Sequence, residues 1–400
     1  MSHPTAKDKE SALASIAGLN NKNALPKDFI GQTGQGASSV LPPVALSTEN
    51  SLNEILVFAR YNKISDVHLC SKNPIIFRQF SALKPMSKDI LTPERMQAIV
   101  KEAIAPQLLA QFEHLGDLEF VHSIAGAGRF RLTVVKQRNG WDLTARLIPM
   151  IIPAFESTGM PKSCENLTKW AQGLVLITGP IGCGKSTTMA TLVELINQTR
   201  NDHIITIENP VEIVYAPKKC QITQREVNTH TMSQANALRA ALREDPDILV
   251  VSELRDLESI QLAVSAAETG HLVFGTMNTN NAAQTISRVI DSFPAEEQSV
   301  IKNMISESLR GVISQQLVPK KDGTGLVPAY EILIVNSAVS NLIREGKVSQ
   351  ITNTMATGKN AGMMLLDSSL EALVKGGTIT GAEAYERAIS PANFTMYLNA

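Results

Sequence analysis

The sequence lacks the features that mark a zinc-binding, secreted or membrane-spanning protein. Its four cysteines are scattered through 400 residues with no C-x-x-C pair, which argues against a zinc site and a disulfide framework. Its apolar runs are of strand length, too short to cross a bilayer. The amino terminus lacks the basic-then-apolar pattern of a signal peptide. We therefore expect reduced thiols and a cytoplasmic location.

An excess of charge of either sign is also absent. The chain has 37 Lys and Arg against 38 Asp and Glu, a formal net charge of -1. No nucleic acid is therefore expected as the main partner, although a local basic channel could lie inside a balanced total. The 44% of hydrophobic residues is typical of a globular chain that buries sizeable cores, and the length suggests two to three domains.

The pattern along the chain predicts a tail followed by two α/β regions. Residues 1–48 are rich in Ser, Ala, Asn, Gly and Pro without periodicity, which predicts a flexible tail. Residues 49–150 mix helical and strand patterns, and the Pro-containing stretch 151–167 suits a linker. Strand-like and helical segments alternate over 168–336, which predicts a mostly parallel sheet covered on both faces, and 337–400 is helical in pattern.

The stretch GPIGCGKSTT, from Gly179 to Thr188, is the clearest functional motif. Its spacing matches a phosphate-binding loop, in which backbone N–H groups face the anion and the lysine reaches the outer phosphates. The strand-like GLVLIT precedes it and a helical pattern follows, which favours this interpretation over a glycine turn without function. The predicted nucleotide contacts are Gly179, Pro180, Ile181, Gly182, Cys183, Gly184, Lys185, Ser186 and Thr187.

Two further strand-like segments carry carboxylates at their ends. DPDILVVSE ends in Glu253, and IITIENPVE carries Glu208 and Glu212. Ligands of open α/β sheets bind beyond the carboxyl ends of the strands. Either segment alone is equally consistent with surface acids, but beside a phosphate loop they favour nucleotide hydrolysis, which needs a carboxylate near Mg²⁺ and a group that activates water. Ser186 offers a hydroxyl ligand to the same Mg²⁺.

Four arginines in the first region are candidates for the positive charge that phosphoryl transfer requires. Arg129, Arg131, Arg138 and Arg146 fall within 18 residues. Arginines on strands usually face solvent. Alternatively, these could form a fork that reaches a nucleotide bound on the second domain, within one chain or across a subunit boundary. Their spacing in the sequence does not distinguish contact within one chain from contact across a subunit boundary.

From Ser51 to about Asn393 the chain resembles the type IV pilus retraction ATPases, the PilT-like branch of the secretion ATPase superfamily. GPIGCGKSTT resembles the Walker A loop, ITIENPVE the acidic box, ILVVSELRD the Walker B strand and TGHLVFGTMNTNNAAQTISRVID the histidine box. GRFRLTVVKQR and ARLIP resemble the stretch that supplies nucleotide-contacting arginines. The resemblance implies a RecA-like P-loop ATPase domain preceded by a small PAS-like α/β domain. It also implies a homo-hexameric cytoplasmic ring that binds ATP and Mg²⁺ between its domains, and an inner-membrane pilus platform protein as partner.

The resemblance also implies roles for individual residues. Glu212 would be the general base and Glu253 the Walker B acid, and His271 and Arg288 would be the polar members of the histidine box. Two of the chain's departures from the family each remove a titratable group. Asn209 stands where the acidic box usually has aspartate, and Asn278 replaces the second histidine.

The implied function is an ATP-driven motor that retracts type IV pili and so supports twitching motility. The two asparagine replacements keep open an accessory ring subunit that hydrolyses ATP poorly beside an active paralogous retraction ATPase. A pilus-assembly or secretion ATPase is a third possibility. Those enzymes commonly carry a four-cysteine insert that this chain lacks, and the segment AVSNLIRE, Ala338 to Glu345, resembles one tied to retraction. A nucleic-acid motor on the same fold is disfavoured by the balanced charge.

Overall fold

The computed structural model describes residues 46–62, 64–79 and 82–398. They form two compact units, the first ending at Met150 and the second beginning at Ile151. Residues 1–45 of the predicted tail lie outside the described residues. Within the described ranges, no helix is long and apolar enough to cross a membrane.

The first unit is a six-stranded antiparallel sheet with three helices. The helices are α1 (Leu52–Tyr61), α2 (Pro93–Ala103) and α3 (Pro106–Leu115), and the strands are β1 (Asp66–Cys70), β2 (Ile76–Gln79), β3 (Ala82–Pro85), β4 (Asp117–Ile124), β5 (Gly128–Gln137) and β6 (Gly140–Leu147). The strand order is β3-β2-β1-β6-β5-β4. Side chains alternate between the two faces of a strand, so Phe130, Leu132 and Val134 of β5 are buried in the core while Arg129 and Arg131 face the other side.

The second unit contains a seven-stranded sheet. Its strands are β7 (Gly173–Thr178), β8 (His203–Glu208), β9 (Gln221–Glu226), β10 (Ile248–Val251), β11 (Leu272–Met277), β12 (Leu309–Pro319) and β13 (Leu326–Ile334). In the order β13-β12-β7-β11-β10-β8-β9, β12 and β13 are antiparallel and the other neighbours are parallel. Every residue of β7, β10 and β11 is buried, as in a parallel sheet covered on both faces. The predicted α/β fold with a mostly parallel sheet is confirmed.

The helices of the second unit surround this sheet and continue beyond it. Those between the strands are α4 (Lys162–Leu167), α5 (Lys185–Thr199), α6 (Gln234–Ala241), α7 (Leu257–Glu268), α8 (Ala282–Asp291) and α9 (Gln298–Ser308). After β13 come α10 (Ser337–Arg344), α11 (Ile351–Thr357), α12 (Leu366–Lys375) and α13 (Gly381–Arg387). The carboxyl-terminal region is therefore helical, as predicted.

Residues 151–167, predicted to be a linker, pack onto the second unit instead. Helix α4 ends this stretch, and its side chains Cys164 and Leu167 are buried in the core. The hydroxyl of Tyr330 on β13 donates to the carbonyl of Thr158 at 3.1 Å. Prolines interrupt regular structure without preventing packing, so their spacing did not distinguish a linker from a packed irregular segment.

Candidate nucleotide-binding site

The phosphate-loop motif connects the buried strand β7 to helix α5. Its glycines adopt backbone angles that side chains disfavour, with φ of +144° at Gly179, +80° at Gly182 and +91° at Gly184. Gly179 also has no room for a side chain. A Cβ there would lie 2.2 Å from the carbonyl oxygen of Gln315 and 2.6 Å from the sulfur of Cys183. The glycine spacing of the motif is thus a steric requirement of this turn.

Lys185 lies at the point where the loop becomes a helix. Its Nζ donates to the carbonyls of Gly179 and Pro180 at 2.8 and 3.0 Å. Burial lowers the pKa of Lys185, and the nearby Cys183 and Glu253 oppose that shift. Helix α5 begins here, so the N–H groups of its first turn and the lysine place positive charge together. Such a helix terminus binds phosphates.

Glu253 is brought to the same edge of the sheet, because β10 runs parallel to its neighbours and ends where they end. Its carboxylate accepts hydrogen bonds from Asn278 Nδ2 and from an Arg255 Nη, each at 2.5 Å. Its backbone carbonyl accepts from Gln234 Nε2 at 2.9 Å. The predicted Walker B acid is therefore held in place beside the residue that replaces the second histidine.

The two glutamates of the acidic box have different surroundings, Glu208 as the last residue of β8 and Glu212 in the segment after it. The Glu208 carboxylate accepts from the Thr206 hydroxyl at 2.7 Å and from Gln224 Nε2 at 3.0 Å. Burial raises the pKa of Glu208, and the charge of Glu212 adds to the shift, against these donors. Glu212 itself is partly exposed. The Glu208 carboxyl is therefore hydrogen-bonded to side chains of β8 and β9, whereas the Glu212 carboxyl is accessible to solvent.

His271 does not lie at this edge of the sheet. It immediately precedes β11, and its carbonyl accepts from the N–H of Gly173 at the first residue of β7. The six residues of β7 span roughly 20 Å at about 3.3 Å per residue and separate that end from Gly179. The imidazole Nδ1 lies 3.0 Å from the carbonyl of Ala266. This placement corrects the assignment of His271 to the nucleotide site of its own chain.

Arg288 lies on the exposed side of helix α8. There it lines a shallow depression together with Thr279, Ser287 and Asp291. Thr279 directly follows Asn278, so one end of this depression is adjacent in sequence to the contact with Glu253. The assignment of Arg288 to the site stays a prediction.

Three of the four candidate arginines share one face of the first unit's sheet. Arg131 and Arg146 oppose each other on β5 and β6, and Arg129 lies two residues along β5. Arg131 and Arg146 each form an ion pair with a carboxylate of a neighbouring strand, at 2.9 and 2.8 Å. Arg138 lies in the β5–β6 turn at the other end of the hairpin. The structure therefore groups Arg129, Arg131 and Arg146 and separates Arg138 from them.

The sequence prediction missed the polar residues that lie beneath the loop. Gln315 of β12 donates from Nε2 to the carbonyl of Cys183 at 2.6 Å and accepts from the Thr188 hydroxyl at 2.7 Å. Beside it, the hydroxyls of Ser314 and Thr178 are 2.7 Å apart. The available signal was the polar triplet SQQ inside the apolar strand pattern VISQQLVP.

Comparison with known proteins identifies the family. The family described as Type II/IV secretion system protein matches residues 156–361. A relative from Pseudomonas aeruginosa named type IV pilus retractation ATPase PilT is 43% identical over 343 residues, which cover 86% of this chain and 99% of the relative. The chain belongs to the PilT-like secretion ATPases.

Further relatives agree with this assignment. The type IV pilus ATPase PilU of the same organism is 34% identical to this PilT-like chain over 82% of its length and 85% of PilU. A crystal structure described as the pilus retraction motor PilT with bound ADP matches with a TM-score of 0.77 and 42% identity, over 86% of this chain and 99% of that chain. The predicted RecA-like fold with its amino-terminal domain is therefore confirmed, and the chain is a nucleotide-binding ATPase.

Proposed function

We propose that this PilT-like ATPase drives the retraction of type IV pili, and hence twitching motility, as a hexameric ring that acts on an inner-membrane platform protein. One observation carries the proposal. A phosphate loop with Lys185 and the carboxylate of Glu253 lie at one sheet edge, in a chain that covers 99% of a named pilus retraction ATPase. Phosphoryl transfer is catalysed mainly by positioning and by charge stabilisation, which these groups supply.

The phosphate loop and the neighbouring carboxylate of Glu253 fit a magnesium nucleotide. Ser186 is exposed at the start of α5, and Glu253 offers carboxylate oxygens at the same edge. Both are hard oxygen donors, and Mg²⁺ in such sites takes one or two protein ligands besides substrate phosphates and water. The ion would neutralise charge on the phosphates. Lys185 adds a fixed positive charge at the loop, and the N–H groups of the first turn of α5 orient the anion.

Glu212 is the proposed general base. A base must reach a water molecule through a hydrogen bond, and Glu212 is partly exposed. Glu208 accepts hydrogen bonds from Thr206 and Gln224, which occupy one of its oxygens. We assign Glu208 to the support of the acidic box.

The arginine face formed by Arg129, Arg131 and Arg146 is proposed to supply further positive charge. One Nη of Arg129 is buried and has no hydrogen-bond partner in the described part of the chain. Arginine stabilises the charge of a transferred phosphoryl group best where water is excluded. The nucleotide that this face meets belongs either to its own chain or to a neighbouring subunit.

Complementation tests the proposed function in a piliated bacterium that lacks its own retraction ATPase. The wild-type chain should restore twitching, and a Lys185→Ala variant produced at the same level should not. Purified protein should hydrolyse ATP at the same rate with and without single-stranded DNA. Stimulation by DNA together with failure to restore twitching would contradict the proposal.

A second candidate function, a low-activity accessory subunit beside a paralogue such as PilU, is favoured by Asn278. Its amide donates to Glu253 and cannot become charged at physiological pH, whereas a histidine there could. We expect Asn278→His to raise turnover by several-fold or more, since about 1.4 kcal/mol in the barrier corresponds to tenfold in rate. Steady-state ATPase assays measure this change.

The control for that variant is Asn280→His, which places the same ring at an exposed asparagine two residues away. It should leave turnover unchanged. A wild-type chain that hydrolyses ATP briskly alone, with no gain in Asn278→His, would contradict the accessory function and support an autonomous motor.

Helix α10 is expected to matter for retraction and not for ATP hydrolysis. Its residues Val339 and Ile343 are fully buried, whereas Asn341 and Arg344 are exposed. The double variant Asn341→Ala, Arg344→Ala should keep the fold, because alanine is a good helix former at solvent-facing positions. We expect a normal ATPase rate and loss of twitching. Parallel loss of both activities, or unchanged twitching, would contradict this role.

A further inference from the structure

Gln315 contacts the phosphate loop from beneath through both its backbone and its side chain. Strand β12 runs parallel to β7, and Ser314 pairs with Thr178, so Gln315 lies beside the first residue of the loop. Only 2% of its surface is exposed. A Cβ at Gly179 would lie 2.2 Å from its carbonyl oxygen, and a Cβ at Gly184 would lie 3.2 Å from its Nε2.

The side chain of Gln315 uses both ends of its amide. Nε2 donates to the carbonyl of Cys183 at 2.6 Å, and Oε1 accepts from the hydroxyl of Thr188 at 2.7 Å. Thr188 lies in the first turn of α5. One buried amide therefore connects the interior of the loop to the helix that follows it. A buried amide with both ends paired rigidifies its surroundings, because leaving either end unpaired is costly.

The hydrogen bond from Gln315 to the carbonyl of Cys183 fixes the direction of the N–H group of Gly184. The carbonyl of Cys183 and the N–H of Gly184 belong to one planar peptide group. This peptide is trans, so the two point in opposite directions. When Gln315 holds the carbonyl toward the sheet, the N–H of Gly184 is aimed away from the sheet. Phosphate loops bind their anion through N–H groups fixed in this way.

We infer that Gln315 is a positioning residue of the phosphate loop, which fixes the Cys183–Gly184 peptide so that its N–H faces the nucleotide. The inference rests on the proposed phosphate-binding role of this loop. Gln315 acts through the peptide and touches no phosphate itself. An N–H group fixed in this way binds the nucleotide equally well in the ground state and in the transition state. Loss of its orientation therefore raises KM and leaves kcat nearly unchanged.

The test uses the full chain with Gln315→Met, which keeps an unbranched side chain of similar volume and removes both hydrogen bonds. The matched control is Gln316→Leu, because the neighbouring glutamine is only partly buried and its side chain projects from the other face of β12. We expect Gln315→Met to weaken ATP and ADP binding about tenfold or more, the effect expected when at least one buried polar group is left unpaired. KM should rise in step, kcat should change less than KM, and Gln316→Leu should match wild type.

A second variant, Gln315→Glu at pH 8, keeps an acceptor for Thr188 but as a carboxylate lacks the donor to Cys183. It should also weaken binding. Wild-type affinity in either folded variant would overturn the inference, as would failure of both variants to fold while Gln316→Leu folds. Lys185→Ala is measured alongside. Unimpaired binding and turnover in that variant would instead overturn the phosphate-loop assignment itself.

Discussion

Lys185→Ala is expected to abolish ATP turnover while the protein stays folded. The ammonium group supplies charge to the phosphates, and a loss of about 4 kcal/mol in stabilisation of the transition state corresponds to roughly 10³-fold in rate. The substitution should have little effect on folding. The two hydrogen bonds from Nζ go to carbonyls of the loop itself, and Lys185 is only partly buried. Turnover, nucleotide affinity and thermal stability should be measured on the same preparation.

A lysine outside the site provides the control for this variant. Lys169 forms a surface ion pair with Glu165 one helical turn away, and such pairs contribute little to stability. Lys169→Ala should therefore hydrolyse ATP at the wild-type rate. If Lys185→Ala also did so, the phosphate-loop assignment would be wrong.

The loop could be predicted from sequence because its constraints are local. Glycines are required at Gly179, Gly182 and Gly184 because all three have positive φ angles, which are set within the motif itself. Glu253 could be placed almost as well, since parallel strands end at one edge of a sheet and β10 was evident from its apolar run.

His271 shows where adjacency in sequence misleads. It belongs to the same motif as Asn278, but the fully extended strand β11 separates the two residues. An extended strand carries its two ends to opposite edges of the sheet, so one motif supplies residues to both edges. Asn278 contacts Glu253, whereas His271 lies beside the first residue of β7.

Gln315 could not be assigned to the loop from one sequence. It lies more than 130 positions after Gly179, and it reaches the loop only because β12 is the parallel neighbour of β7. The order of strands in a sheet is set by tertiary packing and crossover connections, which hydrophobic periodicity does not encode. The separation of Arg138 from the other three arginines also depends on strand register. The antiparallel register that opposes Arg131 to Arg146 also places Arg138 in the turn.

Glu212→Gln is expected to slow ATP hydrolysis by roughly 10²- to 10⁴-fold, the usual contribution of a general base, while nucleotide affinity is retained. Glutamine has nearly the same shape and removes only the capacity to take a proton. Single-turnover measurements with saturating ATP separate the chemical step from binding. Thermal stability should change little, because Glu212 is partly exposed.

Glu208→Gln is the matched comparison, because it makes the same chemical change at the other glutamate of the box. The Glu208 carboxylate accepts from Thr206 and Gln224, and an amide oxygen can still accept from both. Burial also raises the pKa of Glu208, so replacing it with a neutral residue removes a group that is costly to keep charged. We therefore expect a smaller loss of rate and unchanged or higher thermal stability. If Glu208→Gln instead abolished hydrolysis and Glu212→Gln left most of it, the general base would be Glu208. Glu212 would then act only through the effect of its charge on Glu208.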